Sequence, residues 1–271
     1  MRFWPPPTDL FAPNRAVRPL VAHEYGSGSP VVLLHGQPGD AHDWDRVVDR
    51  LGGRVRSIVP DRPGYGRTGG SAGTIDANAD AVVDLLDRLE ISQATVAGYS
   101  WGGAIALDLL QRHADRVRGL VLVSSVGGDG SLDDLDRLLA APFIGPVISL
   151  GGLVALRLER VRRFLAPSHS PIDPSAVDRI PDGWLGSWRS FVVEERALLA
   201  GLPAITDRLA PAGRPVAVLI GSADRVVRPA SQEAMAAALG ADVVRAPGFG
   251  HLLTLEAPDL VADAIARVAR R

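Results

Sequence analysis

At Gly98-Tyr99-Ser100-Trp101-Gly102 an apolar run ends and a helix-patterned run begins, and this junction constrains the chain more than any other stretch. Ala94 to Ala97 has the length and composition of a short buried strand, and Gly103 to Gln111 (GAIALDLLQ) carries apolar residues at helical spacing. A strand that turns abruptly into a helix forces the residue at the bend into a strained conformation. Positions two either side must then be tiny, which Gly98 and Gly102 provide. The bend lifts the Ser100 hydroxyl clear of the sheet and sets it at the amino end of a helix, where unshared N–H groups and the helix dipole favour developing negative charge. That is a place to hold a nucleophile. Taken alone, the five residues fit equally well a turn whose serine caps the helix, so three further segments decide.

The first is Val31 to Leu34 followed by His35-Gly36-Gln37-Pro38-Gly39, a buried-type strand stopped by a Gly/Pro turn. The glycines let the backbone turn its amides outward, so the N–H of Gln37 can face a carbonyl held near Ser100. Acyl transfer needs two such donors, because charge builds on the substrate oxygen during attack; the N–H of Trp101 would be the other. His35, fixed at a strand end, reads as structural. The second segment is Pro215 to Gly221, a near-continuous apolar strand, with Asp224 just beyond it. Open α/β sheets gather functional groups at that position, though a turn also favours Asp there. The third is Gly248-Phe249-Gly250-His251, after the strand-like Asp242 to Arg245. Its glycines give His251 a loop that can bring the imidazole between Ser100 and Asp224. Serine needs a base, imidazole titrates near neutrality, and a carboxylate fixes its tautomer and stabilises its cation. All three parts follow strand-like runs, in the order Ser, Asp, His.

With these segments in place, the chain resembles the α/β-hydrolase superfamily over nearly its whole length. The resemblance rests on the Gly98–Gly102 elbow, the His35-Gly36 segment, the turn Asp61-Arg62-Pro63-Gly64-Tyr65-Gly66-Arg67-Thr68, the Gly221-x-x-Asp224 turn and the Gly250-His251 loop. It implies Ser100 as nucleophile, His251 as base, Asp224 as its partner, the amides of Gln37 and Trp101 as oxyanion donors, and a structural role for Asp61. In some members the acid follows the preceding strand, where this chain offers Asp129; the Gly-x-x-Asp spacing favours Asp224.

Composition removes several other chemistries. All 29 basic residues are arginine, which excludes a Schiff-base lysine, a pyridoxal-phosphate enzyme and a Walker-type phosphate loop. Cysteine is absent, so there is no disulfide framework, thiol nucleophile or thiolate metal site. The six histidines show no H-E-x-x-H or comparable spacing, and neither a metal nor another cofactor is expected. A net charge of −2 gives no reason to expect nucleic acid or an anionic membrane as partner. No run reaches the ~18 apolar residues of a membrane span, and Met1 to Pro7 lacks the apolar region of a secretory signal. The expectation is a cytoplasmic protein whose partner is a small-molecule substrate.

Residues 1–15 read as a proline-containing arm that packs on a domain. Val17 to Glu24 and Val31 to Leu34 read as two strands joined by Tyr25-Gly26-Ser27-Gly28, a hairpin-like turn. From there strands and helices alternate, which predicts a mostly parallel sheet with helices on both faces. The rhythm breaks between about Gly127 and Gly213, where helix-like pieces are separated by prolines. An all-helical insertion between two strands resembles the cap of capped α/β-hydrolases, giving a core of residues 1–127 and 214–271 and a cap of residues 128–213. Phe143 to Leu156 is its most apolar stretch, readable as a cap-core helix or as a substrate-facing lid. Trp184 and Trp188, four apart, share a helix face that serves packing or ligand stacking. Phe143, Trp184 and Trp188 are the candidate substrate contacts.

The predicted reaction is hydrolysis of a small to medium, hydrophobic ester or lactone through an acyl-enzyme. Haloalkane dehalogenases and soluble epoxide hydrolases place Asp at the nucleophile position, and Ser100 argues against both. Hydroxynitrile lyases of this fold typically employ a lysine. Cofactor-free haloperoxidases and carbon–carbon bond hydrolases commonly read Ser-Met-Gly-Gly, where this chain has Ser100-Trp101-Gly102-Gly103. Proline iminopeptidases are similar locally, with His-Gly-Gly-Pro-Gly and Gly-Gly-Ser-Trp-Gly. Such a peptidase needs cap carboxylates to bind a free amino terminus; Glu194 and Glu195 are available, although adjacent helix residues diverge and paired exposed glutamates are the commoner case. A catalytically silent binder would use the same pocket, and an intact triad speaks against it.

Overall fold

The computed structural model describes residues 11–155 and 180–271, with side chains over 11–151 and 187–271. Strand β1 (Val21–Tyr25) precedes β2 (Pro30–Leu34), a 3-10 turn (Ala41–Trp44) and α1 (Asp45–Leu51). Then come β3 (Arg56–Asp61), α2 (Ile75–Arg88), β4 (Ala94–Tyr99), α3 (Trp101–Arg112) and β5 (Val117–Val123). Helices α4 (Asp134–Ala140), α5 (Ile144–Ala155) and α6 (Ile180–Asp207) lie between β5 and β6 (Val216–Gly221). The chain closes with α7 (Pro229–Leu239), β7 (Asp242–Ala246), α8 (Leu253–Glu256) and α9 (Pro258–Ala269). The seven strands among the described residues form one sheet in the order β1-β3-β2-β4-β5-β6-β7, parallel except for β1 against β3.

Strand alternation divides the interior into two layers. Val32, Leu34, Val96, Leu120, Leu122, Val218 and Ile220 face one side, against α2, α3 and α7. Val31, Leu33, Ala97, Val121, Val123, Ala217 and Leu219 face the other, against α1 and α9. With both faces covered, the central strands are near-continuous apolar runs, broken by buried Thr95 in β4 and exposed Arg118 near the start of β5, as expected of parallel strands. Each buried Val or Leu contributes about 1.5–3 kcal/mol. Local signals fix the helix starts: the Thr74 hydroxyl accepts the Ala77 N–H at the head of α2, and Asp133 forms a reciprocal capping box with Asp136 at the head of α4.

The turn Tyr25-Gly26-Ser27-Gly28 is not a hairpin. Strand β3 lies between β1 and β2, antiparallel to the first and parallel to the second. The burial explains why: β2 is buried along nearly its whole length and takes an interior place, whereas half-exposed β1 suits the sheet edge. Among the described residues the insertion between β5 and β6 is helical. Its last helix does not stay outside the main core, since Ala197, Leu198, Leu202 and Ile205 of α6 join the layer formed by α2 and α3. No helix among the described residues is long and apolar enough to cross a membrane.

Candidate active site

Ser100 stands between β4 and α3 with φ +51° and ψ −117°, a region that costs a non-glycine residue about 1–3 kcal/mol. Its N–H is tied to the Val123 carbonyl of β5 at 3.0 Å, which holds the bend in place. The two flanking glycines are demanded by close approach. A Cβ on Gly98 would fall 2.7 Å from the Gly103 Cα, and one on Gly102 would fall 2.6 Å from the His35 carbonyl oxygen. Strand, helix and the end of β2 thus meet at a point where only hydrogen fits.

The loops after β6 and β7 bring two more side chains to Ser100. The His251 Nε2 lies 3.1 Å from Ser100 Oγ, and His251 Nδ1 lies 3.0 Å from Asp224 Oδ2. Facing a carboxylate, Nδ1 carries the proton, which leaves the Nε2 lone pair towards the serine hydroxyl. Asp224 is itself fixed: Oδ1 accepts the Val226 and Val227 N–H groups at 2.9 and 3.0 Å, and Oδ2 accepts from Gln232 Nε2 at 3.0 Å. Ser100 and His251 are 7% and 6% exposed, and the Tyr99 ring lies against the imidazole. Asp224, not Asp129, takes the place beside His251; Asp129 is exposed in the loop after β5.

The His35–Gly39 loop closes the other side. A Cβ at Gly36 would come 3.2 Å from the Ser100 Cβ, so this backbone abuts the nucleophile. Trp101 opens α3, where an N–H has no partner within the helix, and the Gln37 amide follows the same turn. His35 Nε2 accepts the Arg62 N–H at 2.9 Å, so Nδ1 bears the proton and donates to the Gly36 carbonyl at 2.8 Å. Burial, then the Arg62 charge, holds the His35 pKa well below its usual value, and the ring is neutral. His35 is therefore structural, as its strand-end position implies. Asp61 is structural too, accepting the Ala41 and Arg67 N–H groups at 2.9 and 2.7 Å.

Glu194 and Glu195 are not a solvent-exposed pair. Both are buried at the inner face of α6. Glu194 pairs with the Arg62 guanidinium and accepts from the Tyr65 hydroxyl at 2.6 Å, and its backbone carbonyl accepts from Trp101 Nε1 at 3.4 Å. Glu195 Oε1 accepts from Gln37 Nε2, while its Oε2 has no hydrogen-bond partner. Burial, then Asp136 and Glu194, pushes the Glu195 carboxyl well above the usual glutamate range. Arg62 and Tyr65 belong to the Asp61 turn, and no sequence spacing joins them to a residue more than a hundred positions away.

Of the three aromatic candidates, the structure describes the side chains of two. The Phe143 ring is 90% exposed, on a residue with φ +65° in the turn between α4 and α5, so among the described residues it lines no enclosed site. Trp188 is half-buried and packs against Phe11 with ring centres 5.9 Å apart. The Trp184 side chain lies outside the described residues.

A sheet of this order, with a strained serine after its central strand and a histidine and aspartate on later loops, defines a hydrolase architecture. Residues 31–264 match the family model of the alpha/beta hydrolase family, and the chain belongs to that family. It is similar to a 2-hydroxymuconate semialdehyde hydrolase of Pseudomonas sp. strain CF600, 41% identical over 111 residues, or 39% of either chain. It is also similar to the dihydrolipoyllysine-residue acetyltransferase component of an acetoin cleaving system from Pseudomonas putida, 28% identical over 86% of this chain. The chain spans 39% and 61% of the lengths of these two relatives. Among solved structures, a thermophilic esterase from Thermogutta terrifontis superposes with a TM-score of 0.74, at 28% identity and 93% coverage of each chain.

Proposed function

We propose that this hydrolase cleaves a small to medium, hydrophobic carboxylic ester or lactone through an acyl-enzyme on Ser100, with His251 as base, Asp224 as its partner, and the Gln37 and Trp101 amides as oxyanion donors. The observation that carries the reading is the continuous line from Asp224 through His251 to a serine held at φ +51°. His251 Nε2 takes the Ser100 proton as Oγ bonds to the carbonyl carbon, and the oxygen's new charge rests on the two amides. The carbon–oxygen ester bond then breaks, and the departing alkoxide takes the proton from His251. Water attacks the acyl-enzyme, again giving a proton to His251. The Oγ–carbon bond breaks, Ser100 recovers its proton, and acid is released.

A serine nucleophile does not suit dehalogenation. Attack of Oγ on a haloalkane carbon would leave an ether, which offers water no carbonyl to attack. The aminopeptidase alternative loses Glu194, whose carboxylate is taken by Arg62 and Tyr65. Only Glu195 keeps an unpartnered oxygen for an ammonium group. The segment of residues 128–213, helical among its described residues, serves in this reading as a cap over the site. The test is labelling with a fluorophosphonate probe: stoichiometric modification that is lost in Ser100→Ala is expected, and a folded protein that stays unlabelled would make it the silent binder. Rates on p-nitrophenyl butyrate, proline p-nitroanilide and 2-hydroxymuconate semialdehyde then rank the bond cleaved. The ester is expected to lead, and a strong preference for either other substrate overturns the ester assignment.

A further inference from the structure

The Gly36–Gln37 peptide unit has two ends. Its N–H, on Gln37, is one of the oxyanion donors assigned above; its C=O, on Gly36, points the opposite way because the unit is trans. That carbonyl accepts from Arg62 Nη2 at 2.7 Å as well as from His35 Nδ1. Arg62 Nε meanwhile donates to the preceding carbonyl, His35 O, at 3.1 Å. One guanidinium therefore grips two consecutive carbonyls of the loop that abuts Ser100.

The guanidinium has little freedom to do anything else. It is 1% exposed and lies between the Tyr65 and Trp101 rings, 4.9 and 4.6 Å from their centres. Its remaining edge pairs with the Glu194 carboxylate of α6, with Nη2 3.3 Å from Oε2. A full positive charge on an amide oxygen draws density from the nitrogen and strengthens the N–H as a donor, an effect enlarged where water is excluded.

We propose that Arg62 is a positioning residue of the oxyanion hole: by holding the Gly36 carbonyl it aims and strengthens the Gln37 N–H at the other end of the same peptide, and Glu194 of α6 fixes the guanidinium for that task. The inference rests on the acyl-transfer reading of the site. It differs from a purely structural buried ion pair, whose loss would lower stability and substrate affinity without a selective effect on the transition state.

The experiment compares the wild type with Arg62→Lys and the double variant Arg62→Met/Glu194→Met, using p-nitrophenyl butyrate and butylboronic acid as a tetrahedral mimic. Removing both charges together leaves neither buried alone, a change that is often neutral or stabilising. The expected result is a thermal midpoint within a few degrees of the wild type and a KM within about twofold. Alongside these, kcat/KM and boronate affinity both fall about 10- to 100-fold, somewhat less than the ~10²–10³ for deleting such a donor. Lysine keeps the charge but lacks the planar fork that meets both carbonyls and Glu194 together, so Arg62→Lys shows the same split and decides the matter should the double variant not fold. A folded variant whose kcat/KM and boronate affinity stay within about threefold overturns the proposal. So does a loss confined to KM and thermal stability. Failure of the underlying reading looks different: the wild type itself would neither bind the boronate nor be labelled by fluorophosphonate, and the role of Arg62 would fall with it.

Discussion

The two sides of Ser100 are built on different principles. On the His251 side, Asp224 is held by groups two, three and eight residues along the chain, all in one turn and the helix that follows. On the Gln37 side, the loop is held by Arg62, and Arg62 by Glu194, 132 positions away. Gln37 itself reaches Glu195, 158 positions away. The first side is a local device that the chain carries wherever the strand ends. The second exists only once the insertion has folded back onto the core, so the geometry of the His35–Gly39 loop depends on where α6 sits.

The largest effect comes from breaking the local side. Asp224→Asn keeps the shape but offers an amide N–H to His251 Nδ1, which forces the proton onto Nε2 and removes the lone pair facing Ser100. We expect kcat/KM for p-nitrophenyl butyrate to fall about 10⁴-fold with the fold retained, the size seen when a triad carboxylate is neutralised. A near-normal rate would detach Asp224 from the chemistry. Gly102→Ala strikes where the two sides meet, since its methyl would lie against the Leu34 and His35 carbonyl oxygens, at the end of β2 and the start of the His35–Gly39 loop. Backbone cannot yield as a side chain would, so a cost of about 2–3 kcal/mol is expected. A calorimetric scan should show the midpoint lowered by about 4–10 °C, and an unchanged midpoint would show the approach to be slack.

The same difference governs what the amino-acid sequence disclosed. The elbow, the Asp224 turn and the His251 loop each sit at the end of an apolar run, and a short window contains everything that shapes them. The parallel sheet followed from the same alternation. The edge pairing of β1 did not, because a turn of Gly and Ser fits a hairpin as well as a step across β3, and only the competition for the edge of β2 chooses. The burial of Glu194 and Glu195 was equally hidden. Two adjacent glutamates on a helix ordinarily face water, and what overrides this is an arginine and a glutamine from the far end of the chain. The exposure of Phe143 is hidden for a related reason: its apolar neighbours signal burial, but its own place is a turn between two helices.

The smallest expected effect sharpens the contrast through pH. The Gly36 N–H is held by Asp43 Oδ2 at 3.3 Å, on the opposite flank of the loop from Arg62. Burial, then the neighbouring Asp40 carboxylate, raises the Asp43 pKa from 3.8 to about 8. Between those values the folded protein holds a proton that the unfolded chain has released, so folding stability declines as pH rises through that window and levels off above about 8. Asn mimics the protonated acid: it keeps a carbonyl oxygen for the Gly36 N–H and has nothing to ionise. Asp43→Asn should therefore match the wild type in thermal midpoint near pH 4 and exceed it by about 3 °C or more near pH 9. Glu195 and Asp40 are also raised, which is why the measured quantity is the gap between variant and wild type at each pH rather than either curve alone. A constant gap across the range would mean that Asp43 is ionised throughout, and that the Gly36 N–H rests on a charge instead of a neutral carboxyl.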